Sequence, residues 1–214
     1  MPHPNSDQIA EARCALVARD PALAVVHAAT PVFEWRVRKG GYEGLCRMIV
    51  EQQVSVASAA AIWARTVDGL GDEVSPDRVL ALSPEALRAF GLSGQKVRYV
   101  REIAQAQADG RIDLDDLGGL SDTEALAALT AITGVGRWTA QTFLMFCEGR
   151  DDLFPAGDIA LQEAIRWADR RTDRPNEKSA AARAEAWRPH RGVAAHLLWG
   201  WYGGVKRGEI RLDT

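Results

Sequence analysis

Apolar positions recur at three- and four-residue spacing along most of the chain, and the polar residues between these runs read as helix caps. From Ser6 to Arg19, Ile9, Ala12, Ala15 and Leu16 line one face of a predicted helix, and Asp20-Pro21 opens the next as a cap followed by a first-turn proline. Val32 to Arg38 alternates like a strand but is short and unpartnered, so it is read as an extended connection. A helix over Glu43 to Glu51 ends at Gln52-Gln53-Val54, and Ser55 caps an alanine-rich helix running to about Leu70. Ser75-Pro76 and Ser83-Pro84 start two short helices, and Gly91 to Lys96 breaks the chain before an amphipathic helix through Ala108. After a polar linker over Asp113 to Gly119, Ser121 to Glu124 has capping-box spacing and begins a helix carrying Leu126 and Leu129. Further helices are expected with Trp138, Thr142, Met145 and Phe146, at about Ile159 to Ala168, at Glu177 to Trp187, and at Gly192 to Trp201. The expected fold class is all-α.

Between two of these helices, the stretch Thr133-Gly134-Val135-Gly136-Arg137 turns the chain with two glycines one residue apart. Glycine serves where the backbone takes positive φ or must approach a partner closely. The helix starting at Arg137 or Trp138 presents unpaired N–H groups at this turn, which suits a phosphate. A plain tight connection between packed helices has the same composition, so both readings stand on these residues alone.

Composition narrows the classes. The 214 residues suffice for a full core, and 47% hydrophobic content is ordinary for a globular protein. The most apolar stretch, Val193 to Val205, is interrupted by His196 and by three glycines, and the N-terminus has no signal-peptide pattern, so a cytoplasmic, nucleoid-associated protein is expected. Cys14, Cys46 and Cys147 are far apart and odd in number, which fits reduced thiols and leaves nothing after Cys147 for an iron–sulfur cluster. The net charge of −3 argues mildly against nucleic acid. Its distribution softens this: residues 1–133 hold 13 basic and 18 acidic groups, residues 134–214 hold 13 and 11.

About twenty residues past the hairpin, Asp158 is a lone carboxylate between a Pro/Gly loop (Pro155, Gly157) and an apolar helix start at Ile159. With this aspartate placed after the hairpin and Gly136-Arg137-Trp138-Thr139-Ala140, the sequence resembles the helix-hairpin-helix DNA glycosylases, most closely the 3-methyladenine DNA glycosylase II branch, over roughly Gly44 to Tyr202. The resemblance implies two helical domains, residues 43–138 ending in the hairpin and residues 1–42 with 139–214 forming the other, with an active-site cleft between them. It implies a monomer acting on double-stranded DNA that carries alkylated bases.

Such an enzyme must extrude its nucleotide, because the glycosidic bond is out of reach in stacked DNA. Gly134, Val135, Gly136 and Arg137 are the candidates for a sequence-independent grip on the backbone. By resemblance, carbonyls of Thr130, Ile132 and Val135 hold a Na+ or K+ ion against that phosphate, and Gln52 or Gln53 wedges into the space the flipped nucleotide leaves. The same two glutamines would also suit an ordinary polar loop. Lys96 matches a lysine of relatives and reads as a solvated helix-start charge or a phosphate contact. Cleavage builds oxocarbenium character that an ionised carboxylate stabilises, so Asp158 is the candidate catalytic residue, either as charge stabiliser or as the group that activates water. An N-cap for the Ile159 helix would also account for it.

An alkylated purine is cationic and is attracted to aromatic faces, and Trp138 is placed for this by resemblance, although a core role fits tryptophan too. Lyase-type relatives carry a lysine there, and tryptophan cannot act as an amine nucleophile. Thr142 and His190 fall where the best-known branch has aromatic pocket residues, which opens the question of base preference. The implied function is a monofunctional glycosylase that removes alkylated purines of the 3-methyladenine and 7-methylguanine type and leaves an abasic site, with no cofactor. The alternatives are a non-catalytic helix-hairpin-helix DNA-binding protein and a glycosylase for another lesion class.

Overall fold

The computed structural model describes residues 2–71 and 73–212. Among them the chain is all-helical, with twelve α-helices and one 3-10 turn. These are α1 (Ser6–Arg19), α2 (Pro21–Ala29), α3 (Gly41–Glu51), α4 (Val56–Gly69), α5 (Pro76–Ala81), α6 (Pro84–Ala89), α7 (Gly94–Ala108), α8 (Asp122–Thr130), α9 (Arg137–Phe146), α10 (Ile159–Ala168), α11 (Glu177–Ala184) and α12 (Arg191–Lys206), the 3-10 turn being Glu185–Trp187. No described helix is long and apolar enough to cross a membrane.

The caps are local hydrogen bonds made by the residues that mark them in the sequence. Asn5 and Gln8 close a capping box on α1, and the Asp20 carboxylate accepts from Ala22 N (3.0 Å) ahead of Pro21. Ser55, Ser83 and Ser93 cap α4, α6 and α7, and Ser121 with Glu124 forms the box that starts α8. Residues 32–38 form neither helix nor strand, with Trp35 buried and its Nε1 donating to Met145 O (2.9 Å).

Two expectations are corrected. The last helix runs past Trp201 to Lys206, because its glycines admit neighbours instead of ending it: a Cβ on Gly204 would lie 2.5 Å from Ile210 Cδ1. The helix expected to reach Trp187 stops at Ala184 and tightens into the 3-10 turn, where Trp187 Nε1 donates to Asp20 Oδ2 (2.6 Å).

Two compact units result, Arg38–Phe143 and Met1–Val37 with Leu144–Thr214, the second boundary lying inside α9. In the unit over Arg38–Phe143, α3, α5 and α6 pack on α7, and burial of Leu45, Ile49, Leu87 and Ile103 contributes about 1.5–3 kcal/mol each. In the other, α2, α10 and α12 pack together over Leu23, Val26, Leu161 and Leu198, with α1 laid on α2 and α12. Arg183 joins its helices by pairing with both Asp20 (2.6 Å) and Asp169 (2.9 Å) and lies over the Trp187 ring.

Candidate functional site

The hairpin between α8 and α9 closes through Ala131 N to Ala127 O (3.1 Å), Ile132 N to Leu129 O (3.2 Å) and Val135 N to Ile132 O (3.1 Å). The Val135 amide is thus spent inside the turn. Those of Gly134 and Gly136 have no acceptor among the described residues. The two glycines differ in kind. Gly134 takes φ +98°, and a Cβ on it would lie 2.2 Å from Tyr99 Cγ, so the protein itself demands glycine there. Gly136 has ordinary φ, and a Cβ on it would meet nothing within 4 Å. The turn, from Thr130 to Gly136, lines an open depression of about 550 Å³ together with Gln52, Gln95, Tyr99 and Thr139. The carbonyl-bearing residues Thr130, Ile132 and Val135 all border it, although the Ile132 carbonyl already accepts one bond. Among the described residues no group of three or more His, Cys, Asp or Glu side chains is arranged to hold a metal ion.

The structure separates the two glutamines. Gln52 Nε2 donates to Thr139 Oγ1 (3.0 Å), which ties the end of α3 to the first turn of α9. Gln53 is exposed and takes φ +54°, a conformation costly for a residue with a Cβ, and Val56 beside it is 87% exposed. Lys96 is neither a solvated charge nor turned outward. Its ammonium donates to Val50 O (2.7 Å), a cation placed on the last carbonyls of α3, and burial pushes its pKa down. It therefore fixes the loop that carries both glutamines.

On α9, Arg137 is exposed and the Trp138 indole is 41% exposed. Thr142, one turn on, is 1% exposed, and its hydroxyl donates to Trp138 O (2.8 Å) and Thr139 O (3.1 Å). Thr142 therefore presents no open face in this structure.

Asp158 belongs to the other unit. Its Oδ1 accepts from Leu161 N (3.1 Å), which makes it the N-cap of α10, and also from Trp199 Nε1 (3.2 Å) on α12. A cap needs only the first bond. The second fixes the direction of the carboxylate, and it has a backing of its own: Trp199 packs edgewise on His196 (5.8 Å) and against Phe146 (5.7 Å), while His196 lies on Trp35 at 4.2 Å. His196 Nδ1 meets Gly192 O at 2.8 Å and its Nε2 meets Arg36 N at 3.4 Å, so the neutral Nδ1–H tautomer satisfies both. Burial pushes this imidazole down to about 4. Sequence reading missed Trp199, which lies 41 residues from Asp158. The signal for it was one tryptophan among several aromatic residues of a mostly apolar stretch.

His190 is half-buried at the start of α12, with its N–H donating to Trp187 O (2.8 Å). Its neighbours hold it in place: Arg188 and Arg191 both pair with Asp152 at 2.9 Å. The sequence-predicted residues thus gather in two groups, the hairpin with Gln52, Gln53, Trp138 and Thr142 in one unit, Asp158 and His190 in the other.

The chain is similar to the DNA-3-methyladenine glycosidase of Bacillus halodurans, whose crystal structure matches with a TM-score of 0.83 and 31% identity over 97% of this chain and 95% of that one. It is similar to the Schizosaccharomyces pombe 3-methyladenine DNA glycosylase Mag1 in complex with abasic DNA, with a TM-score of 0.76, 29% identity, and coverage of 88% and 95%. It is 30% identical over 186 residues to YfjP of Bacillus subtilis, covering 83% of this chain but 63% of that protein, so it spans less than two thirds of that relative's length. Residues 46–189 match the model of the HhH-GPD superfamily of base excision DNA repair proteins, and the chain belongs to that superfamily.

Proposed function

We propose that the protein is a monofunctional DNA glycosylase of base excision repair that hydrolyses the N-glycosidic bond of alkylated purines in duplex DNA. The observation that carries this is the Asp158 carboxylate, held by two donors on one oxygen where a helix cap needs one. The hairpin grips a phosphate through the Gly134 and Gly136 amides, and the open space above Gly136 admits it. A Na+ or K+ ion bound by carbonyls of Thr130, Ile132 and Val135 would add positive charge against that phosphate. Gln53, exposed and held in the left-handed region at the loop tip, is the wedge, and Gln52 with Lys96 braces it.

In this reading the target nucleotide leaves the stack and its cationic base meets the exposed Trp138 indole. As the C1′–N bond lengthens, the base takes the bonding electron pair and the sugar becomes cationic. Asp158 stabilises that cation, a water oxygen bonds to C1′ and gives up one proton to solvent, and an abasic site remains. The likeness in sequence and fold to enzymes named for 3-methyladenine, one of them bound to abasic DNA, supports the lesion class and the product. Trp138 offers no amine, so the strand stays intact.

The test is release of free 3-methyladenine and 7-methylguanine from methylated duplex by the purified protein, with borohydride present in a parallel reaction. Asp158→Asn keeps the cap and deletes the charge, so its release should fall by orders of magnitude while melting is unchanged. DNA binding by the wild type without any base release would leave a non-catalytic binding protein, and a trapped covalent adduct would overturn the monofunctional assignment.

A further inference from the structure

Beside the hairpin depression lies a second one of about 590 Å³, and the two share Tyr99 and Thr133. Three arginines of the same unit border it. Arg101 is spent on its own fold, donating to Leu82 O (2.6 Å) and Val79 O (3.2 Å), and the one carboxylate there, Glu102, is taken by Arg111 (3.1 Å). Arg88 and Arg98 remain. Both are exposed, and neither has a carboxylate partner among the described residues. The Arg88 guanidinium lies over the first turn of α7, where Gly94 leaves room for it: a Cβ there would come within 2.9 Å of its Nη2. Arg98 adjoins Tyr99, the ring on which Gly134 is packed.

We propose that Arg98 and Arg88 form a second backbone-binding station, which takes DNA phosphates on the strand that the hairpin holds, a few nucleotides beyond the hairpin contact. The inference rests on reading the hairpin as a phosphate site and extends it. The order of groups along the surface supports it. Gln52, bonded to Thr139, and the hairpin turn border the first depression, Tyr99 and Thr133 border both, and the two arginines border the second. Phosphates of one strand follow at about 3.4 Å of duplex axis each, so a strand anchored at the turn and leaving past Tyr99 carries further phosphates into the depression that Arg98 and Arg88 border. A station is also needed on energetic grounds. Two backbone amides are a small grip for a chain of net charge −3, and uncommitted cations beside the anchor supply attraction that reads no sequence.

The experiment measures affinity for an undamaged duplex by fluorescence anisotropy between 50 and 200 mM salt, for the wild type, Arg98→Ala, Arg88→Ala, the double variant and Arg98→Lys. Each alanine should flatten the log K against log salt slope by about 0.9, and Arg98→Lys should keep it. Single-turnover base release at saturating protein should stay within about twofold, because a backbone contact made equally before and during bond cleavage changes affinity and not the chemical step. A scan of single neutral methylphosphonates then locates the contact: at one position beyond the hairpin phosphate, wild type and Arg98→Ala should bind equally. An unchanged slope in the double variant overturns the proposal, as does a methylphosphonate scan that equalises the two proteins nowhere. Gly136→Asp, tested in parallel, separates this from failure of the hairpin reading. If it abolishes binding while the arginine variants do nothing, only the second station falls; if it too is silent, the hairpin reading falls.

Discussion

Replacing Trp199 with phenylalanine removes one hydrogen bond and little else. The side chain stays aromatic and apolar, so a ring still faces Phe146 and His196, but Asp158 Oδ1 loses the donor at 3.2 Å while the bond from Leu161 N remains. A hydrogen bond to a charged group is worth about 1.5–3 kcal/mol, and 3.2 Å with a half-buried acceptor belongs at the low end. The consequence for rate comes through direction. With one donor fewer the carboxylate turns more freely about its Cβ–Cγ bond, and a displacement of about 1 Å costs roughly a hundredfold. The surviving cap bond limits the swing, so the expected loss in single-turnover base release is about tenfold, or about 1.4 kcal/mol of barrier. Substrate affinity and melting temperature should change little. The decisive arm is a double-mutant cycle: in the Asp158→Asn background, Trp199→Phe should cost nothing further, because the group it positions no longer acts. An equal loss in both backgrounds would mean that Trp199 works independently of Asp158, and normal release by Trp199→Phe alone would show that the bond is incidental.

The two hairpin glycines should respond in opposite ways to alanine. Gly134→Ala, at φ +98° and against Tyr99, should lower the melting temperature of the protein, whereas Gly136→Ala should leave melting intact and weaken DNA binding; equal melting of the two variants would refute the distinction. His196 has a folded pKa of about 4 against 6.5 unfolded, so its contribution to stability is full above pH 6.5 and is lost as the pH falls through 4, about 3 kcal/mol in all. His196→Gln should therefore flatten the acid limb of melting temperature against pH, and an unchanged limb would place the acid sensitivity elsewhere. Arg183→Met should destabilise the protein by about 3 kcal/mol in urea melts, since it removes the cation that pairs with both Asp20 and Asp169, and the double variant Arg183→Met/Asp20→Asn should recover part of that loss.

What the sequence discloses is what neighbours in sequence decide. Caps lie within three residues of what they cap, so Ser55, Ser121 and Asp158 could be placed from their spacing alone. The glycines of α12 misled because a helix-breaking residue and a residue making room for Ile210 look alike until the tail returns. The functional roles that stayed hidden depend on long-range contacts. Gln52 meets Thr139 across 87 residues, Lys96 meets Val50 across 46, and Trp199 meets Asp158 across 41. Lys96 is the sharpest case. A lysine at a helix start reads as solvated charge, and only the fold reveals that its ammonium closes the end of another helix.

Net charge misled in a related way, and the structure gives the reason. A count treats every charge as available, but most of those near the functional groups are committed. Asp152 is held by Arg188 and Arg191, Glu163 by Arg166, Glu51 by Arg38 and Arg47, and Asp20 and Asp169 by Arg183. Each such pair presents almost no field beyond a Debye length of about 8 Å, so it neither attracts nor repels a distant phosphate. In the proposed reading, a strand at the hairpin meets the amides of Gly134 and Gly136 and then Arg98 and Arg88, which have no carboxylate partner among the described residues. A chain with an acidic total thus keeps a local patch where cations are available, because acids such as Glu51 and Asp152 are paired in place while these two arginines are not.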